Sequence, residues 1–300
     1  MYIVNIDLKI NVKECVIFTH EIYVPVLCFD GIDYPITGTR VRDKDEDMQT
    51  SKTRVWRWWI VPLVIVILLT LTGGGFVIWA MIPTGELQPE VDLALESDSN
   101  VTVTNRRWLG FIPNMQVPQA GVIIYQGGKV PAEAYAPLAR RLAEQGIIVG
   151  VVDAPLDITL FRPNGATDIM ENFSAVDHWV LVGHSLGGTT AANYTARNPA
   201  QVAALVWLAS YPISDVLADS DVPLVSVYAT QDAIATPDEI TSRRADMPDD
   251  TRFIPIAGGN HSQFAYYGTL PSDVPATITQ DEQIAQTVAV ITDIIAETRP

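Results

Sequence analysis

The sequence is poor in sulfur, in histidine and in positive charge. Its two cysteines, Cys15 and Cys28, both lie near the N-terminus. Everything after residue 28 therefore lacks a disulfide framework and thiolate ligands for zinc. Cys15 and Cys28 with His20 between them form a partial metal pattern, but one whose spacing matches no zinc motif. Lys and Arg number 19 against 35 Asp and Glu, a formal net charge of −16. Nucleic acid is excluded as a partner, since its phosphates need neutralising by cations. No internal repeat or low-complexity tract occurs. Histidine occurs only at His20, His178, His184 and His261, which narrows the choice of any general base.

Long apolar runs are scarce too, and the one that exists decides the compartment. From Trp58 to Ile82 the chain reads WWIVPLVIVILLTLTGGGFVIWAMI, 25 residues without a charge, against the ~20 that span a bilayer. Trp56, Trp58 and Trp59 at one end and Trp79 at the other suit the two interfaces. Pro62 and Gly73 to Gly75 are tolerated in such a helix. A buried core helix of this length and all-round apolarity is disfavoured. Residues 48–57 form a basic flank with Lys52, Arg54 and Arg57, whereas Glu86, Glu90 and Asp92 follow the span. Positive charge stays inside, so the expectation is a single-pass protein of the cell membrane, N-terminus cytoplasmic and everything after Pro83 outside. A cleavable signal peptide competes, but it would have an apolar region of only about 7–15 residues and an Ala-x-Ala-like site. An uncleaved signal anchor at 58–82 fits better. Residues 1–47 show enough alternation for a small hairpin but not for a core. Met48 opens what reads as a membrane-targeting segment, so translation is expected to begin there, with 1–47 an upstream extension lacking its own fold.

Beyond the span, an acidic linker at 83–99 leads to a domain over residues 100–300. Strands are predicted at NVTVTN, Gly121–Tyr125, Ile147–Val152, Trp179–Gly183, Ala204–Ala209, Leu224–Ala229 and Thr251–Ile256. Helical patterns lie between and after most of them. Short apolar runs alternating with helices predict an α/β fold with a mostly parallel, doubly wound sheet. From Gly85 on, 11 Lys and Arg face 26 Asp and Glu, a net of −15. That suits a soluble domain repelled by anionic lipid.

The strand at Trp179 ends on Gly-His-Ser-Leu-Gly. A G-x-S-x-G pentapeptide arises by accident only about 0.05 times in a chain of this length and composition. Between an apolar strand and a helix it reads as a nucleophile elbow presenting Ser185, with Gly183 and Gly187 giving room for the turn. A serine hydroxyl needs a base. His20 precedes the membrane span, His178 starts the elbow strand at its far end, and His184 is expected to point away from the partner of Ser185. His261, in the loop after the strand ending at Ile256, remains. The orienting acid is expected after the strand between serine and histidine. Asp232 stands there, with Asp215 and Asp238 as competitors, and the order Ser185, Asp232, His261 is that of α/β hydrolases. Backbone N–H groups of Leu186 and of the Gly127–Gly128 turn are the candidate oxyanion donors. That turn has neither G-x-G-x-x-G spacing nor the Walker A pattern, so no nucleotide site is indicated.

On YQGGKVPAEAYAPLARRLAEQG, VGHSLGG and GGNHSQFAYYGTLPSDVPATIT, the chain resembles the α/β-hydrolase superfamily, in particular the compact bacterial group related to dienelactone hydrolases, over roughly Asn100 to Arg299. The resemblance implies that Ser185, Asp232 and His261 are a catalytic triad. This chain departs from the group's pattern at Gln126, where a proline is usual, and at Ala265 and Tyr266, where Gly-Asp is usual. Dienelactone hydrolases use a cysteine nucleophile, so their substrate does not carry over.

Only about 14 residues, Ser210 to Pro223, separate two strands where large lids are usually inserted, so no large lid is expected. The pocket is then shallow, with Tyr125, Tyr211 and Phe264 as lining candidates, and suits small or extended esters. No cofactor or metal is implied. The expected activity is ester hydrolysis through an acyl-enzyme. A serine acyltransferase, or a membrane-tethered binding protein without turnover, are the other classes compatible with the fold.

Overall fold

The computed structural model describes residues 13–16, 25–28, 46–82, 84–115 and 117–299. Ahead of the long apolar helix in sequence, β1 (Lys13–Val16) and β2 (Pro25–Cys28) pair antiparallel, with Lys13 opposite Cys28. The rest of residues 1–45, including His20, lies outside the described residues, and with it the partial metal pattern. Helix α1 runs Glu46–Met81, and within it Ile60–Trp79 is long and apolar enough to cross a membrane, with no part of it buried. Those 20 residues rise about 30 Å, the thickness of a bilayer's hydrocarbon core.

The acidic stretch that follows is not an open connector. It forms helix α2 (Pro89–Leu95), whose Val91 and Ala94, three apart on one face, are buried in the domain core. Asp92 between them, with Glu90 and Glu96 on either side, hides this short apolar stripe from a composition reading.

The domain is built on an eight-stranded sheet in the order β10-β9-β8-β7-β5-β6-β4-β3. Its six parallel strands are β5 (Gly121–Tyr125), β6 (Ile148–Val152), β7 (Trp179–His184), β8 (Ala204–Leu208), β9 (Leu224–Ala229) and β10 (Arg252–Ile256). At one edge β3 (Val101–Asn105) and β4 (Leu109–Pro113) run antiparallel. The sequence pattern does not predict β4, because Gly110 and Pro113 punctuate its five residues. Pairing with β3 and β6 supplies what propensity lacks.

Helices α3 (Ala136–Ala143), α4 (Gly165–Asn172), α5 (Leu186–Arg197), α6 (Pro237–Ser242) and α7 (Gln280–Thr298) complete the domain. Successive side chains of a strand point to opposite faces, which makes two cores. Val122, Ile124, Val180 and Val182 pack with Leu138 of α3 and Ile284 and Ile291 of α7. Ile123, Trp179 and Leu181 pack with Ile169 of α4 and Tyr194 of α5. Strands buried on both faces explain the near-continuous apolar runs seen in the sequence. Strand order turns back between β5 and β7: the chain goes from β5 to β6 on one side and then to β7 on the other. A ligand crevice belongs at the carboxyl ends of those two strands.

Candidate active site

Ser185 sits at that crevice, between β7 and α5, with φ 50° and ψ −121°. A non-glycine residue at such angles is strained and is held only by its surroundings. Here the Ser185 N–H donates to the Leu208 carbonyl at 3.0 Å, and the Ser185 carbonyl accepts from Ser210 Oγ at 2.8 Å. The flanking glycines are required by contact. A Cβ at Gly183 would run into Gly188, and one at Gly187 into the backbone carbonyls of Tyr125 and Gln126. Helix α5 can therefore start directly against the sheet, leaving Ser185 partly accessible.

Asp232 and His261 come from the loops after β9 and β10, and both are buried. His261 Nδ1 lies 2.9 Å from Asp232 Oδ2. The other carboxylate oxygen, Oδ1, accepts the N–H groups of Ile234 and Ala235 at 2.8 and 2.7 Å. Three donors thus fix the carboxylate, and the carboxylate in turn favours the tautomer with its proton on Nδ1. Asp215 and Asp238, the competitors, are exposed.

Two further side chains hold the histidine loop, and sequence reasoning singled out neither. Asp273 Oδ2 accepts from both the N–H and the hydroxyl of Ser262 at 2.8 Å, and its Oδ1 takes the Ala233 N–H at 3.3 Å. It therefore ties the acid loop to the base loop. Gln283 of α7, fully buried, accepts the Asn260 N–H at 3.0 Å and donates to the Asn260 carbonyl at 2.8 Å. No local motif announces these residues. Their role is visible only in the pairing of the buried Gln283 amide and the half-buried Asp273 carboxylate with this loop.

Three expectations are corrected. His184 does not point away from the base: its ring lies on that of His261, centroids 4.9 Å apart. It is fully buried, and burial first, then the neighbouring His261, pushes its pKa well below the ordinary histidine value. Tyr135, whose pKa is raised by burial, keeps its proton and faces His184 Nδ1 at 2.7 Å. The same hydroxyl accepts the Gly127 N–H at 2.8 Å. Since the phenol has one proton, it donates to His184 Nδ1. His184 Nε2 has no hydrogen-bond partner, and the His261 carbonyl, which favours a proton there, is not in bonding geometry.

The second correction follows from the first. With its N–H committed to Tyr135, Gly127 is not an oxyanion donor. Gly128 lies against Leu186, where a Cβ would come 3.1 Å from Leu186 Cδ2. The Leu186 N–H, at the first position of α5, has no intrahelical acceptor. Of the candidate oxyanion donors, Leu186 and Gly128 remain.

The third concerns the pocket. Tyr125 is fully buried, its hydroxyl donating to the Pro163 carbonyl and accepting the Ala166 N–H, each at 3.1 Å. Phe264 is fully buried against His184. Both are core, pulled in by the alternation of β5 and by the histidine loop. Tyr211 does line the cavity beside Ser185, with Leu186, Ala209, Ile213 and Ile234. This cavity is small, about 250 Å³. A larger concavity of about 700 Å³ lies among Arg107, Asp153, Asp157 and Arg162. It touches none of Ser185, Asp232 or His261, whereas the smaller one is lined by Ser185. No helix or strand interrupts residues 210–223, as expected of a domain without a large lid.

Gln126, one of the departures from the family pattern, is buried and stitches loops together. Its Nε2 donates to the Val130 carbonyl at 3.0 Å and to Asp157 Oδ1 at 3.1 Å.

Comparison with solved structures finds the same fold in TT1662 from Thermus thermophilus, at 15% identity and a TM-score of 0.50, covering 65% of this chain and 98% of that one. A predicted CIB-like hydrolase from Thermoplasma acidophilum is similar at 13% identity and a TM-score of 0.50, covering 64% of this chain and 99% of that one. At such identities the likeness concerns the fold alone. A comparison with curated proteins finds no match. The model of the alpha/beta hydrolase family matches residues 121–285, more than half of the chain and the whole stretch that carries Ser185, Asp232 and His261. This chain belongs to the alpha/beta hydrolase family.

Proposed function

We propose that the protein is a membrane-anchored serine hydrolase of carboxylic esters, with its N-terminus cytoplasmic and its domain outside. The buried Asp232–His261 hydrogen bond at 2.9 Å, on two loops that meet the edge bearing Ser185, carries this reading. Asp232 orients the imidazole so that Nε2 is the basic nitrogen. His261 takes the Ser185 hydroxyl proton as Oγ attacks the ester carbonyl, and the N–H groups of Leu186 and Gly128 meet the oxyanion. The proton passes to the departing alcohol. Water, activated by the same histidine, then releases the acid and restores Ser185. The open cavity gives water ready access, which favours hydrolysis over transfer to another alcohol. The flanks Lys52, Arg54 and Arg57 against Glu86, Glu90 and Asp92 support the orientation.

Labelling by a fluorophosphonate probe and turnover of a panel of chromogenic esters test the assignment. The parent chain should be labelled and active, and Ser185→Ala should be neither. Turnover retained in Ser185→Ala would refute the serine mechanism. Product transfer to an added alcohol in preference to water would make it an acyltransferase.

A further inference from the structure

The chain that leaves α1 is bonded at once to the two loops that serve the reaction. Thr84 Oγ1 donates to the Lys129 carbonyl at 2.7 Å, and Lys129 Nζ lies 4.3 Å from the centroid of the Trp79 ring. Lys129 follows Gly128, the candidate oxyanion donor. It is itself held at φ 63°, with its N–H on the Asp157 carbonyl at 2.8 Å. Gly85 lies against the Tyr267 carbonyl so closely that a Cβ would collide with it. The Gln88 N–H donates to the Tyr266 carbonyl at 3.2 Å. Tyr266 and Tyr267 belong to the loop that begins at His261.

Covalent reach then sets a distance. Helix α1 ends at Met81, and three residues of chain extend at most about 10 Å. With the Thr84 side chain and its 2.7 Å hydrogen bond added, the oxyanion loop is within about 15 Å of the point where the chain leaves the helix. Several exposed apolar side chains belong to segments that follow the carboxyl ends of the strands or the end of α1. Ile213 lines the cavity and is 70% exposed. Leu160 and Phe161 after β6, Val274 near the histidine loop and Leu87 in the juxtamembrane segment are also exposed.

Resting on the hydrolase and anchor readings above, we propose that the site cleaves acyl esters resident in the membrane, with residues 84–88 holding its mouth at the headgroup level. The small cavity then needs to admit only the scissile carbonyl, while the acyl chain stays among the lipids. Ester and water are consumed, and carboxylic acid and alcohol are released, in the two steps already described.

The test uses the full chain in phosphatidylcholine vesicles, with a long-chain umbelliferyl ester partitioned into the bilayer and a short, water-soluble p-nitrophenyl ester. A variant carries a Gly/Ser insert of about 20 residues between Ile82 and Pro83, adding roughly 25 Å of reach while leaving every contact of residues 84–88 in place. The variant should keep its rate on the soluble ester and its fluorophosphonate labelling, and lose at least fivefold on the membrane ester. Equal rates on the membrane ester in the two proteins would overturn the proposal. So would equal losses on both esters with labelling intact. Failure of the hydrolase reading looks different, since the parent would then turn over neither ester and remain unlabelled. Failure of the anchor reading would show as protein that does not float with the vesicles.

Discussion

Asp232 makes three hydrogen bonds with one carboxylate, and only one of them reaches the histidine. Asp232→Asn should preserve the packing yet offer the imidazole the wrong partner. The expected loss in kcat is about ten-thousand-fold, with little change in melting temperature. Tyr135→Phe removes a hydroxyl that both accepts the Gly127 N–H and donates to His184. Two buried groups are left unpaired at a cost of about 1–3 kcal/mol each, readable by denaturant titration. The Gly127–Gly128 peptide is freed as well, so kcat should fall about tenfold with KM nearly unchanged. A proportional change in KM instead would place the tyrosine in substrate binding. At this scale Ser185, Asp232 and His261 could be singled out as candidates because each type stands after a strand end in a recognisable order, and the structure pairs the last two. Tyr135 and the pose of His184 were not, since a buried hydroxyl and a buried ring declare themselves only through what they touch.

His184 also predicts a pH response. Its folded pKa is depressed well below 6.5, so just below pH 6.5 the unfolded chain binds a proton that the folded chain refuses. Stability should therefore fall as pH drops from 6.5 towards the depressed value, by at most about 1.4 kcal/mol per pH unit. Asp153 and Asp157 act in the opposite sense. Burial, then Glu133 for the first and Asp153 with Glu133 for the second, raises their pKa values, and acid relieves them. Between pH 7 and 5 the melting temperature of the parent should decline more steeply than that of His184→Gln. Parallel curves would mean that the buried ring is not the group responsible.

Among the elements, the strands were legible where apolar runs cover both faces, and their predicted limits agree with β5 and β9 residue for residue. β4 and α2 escaped because their residues become strand or helix only by packing on neighbours. Helix α7 is the element whose role reaches furthest. Its N-terminus carries a capping box, Thr279 with Glu282, which fixes where the first turn begins and so where Gln283 stands. Gln283→Leu should strand the Asn260 N–H and carbonyl, costing roughly 2–5 kcal/mol, and should loosen His261 enough to lower kcat. Fluorophosphonate labelling should slow in parallel with turnover. Unchanged labelling would detach α7 from the site.

For the whole molecule, charge is the property read most directly from composition and the one least tied to the fold. A domain with a net charge of −15 should disfavour anionic esters at low ionic strength. Relative to a neutral ester of equal size, kcat/KM should rise between about 10 mM and about 150 mM salt, as the Debye length contracts from about 30 to about 8 Å. A ratio insensitive to salt would show that the repulsion does not reach the cavity. What composition could not reveal is how close the end of α1 lies to the Gly127–Lys129 loop. That depends on single contacts such as Thr84 to Lys129.

The clamp of Gln283 on Asn260 has a consequence for biogenesis. A ribosome delivers Ser185 and Asp232 some 50 residues or more before it delivers Gln283. Until residues 280–298 have emerged and docked, the loop that carries His261 lacks both Gln283 hydrogen bonds to Asn260, so a late-emerging helix completes the setting of that loop.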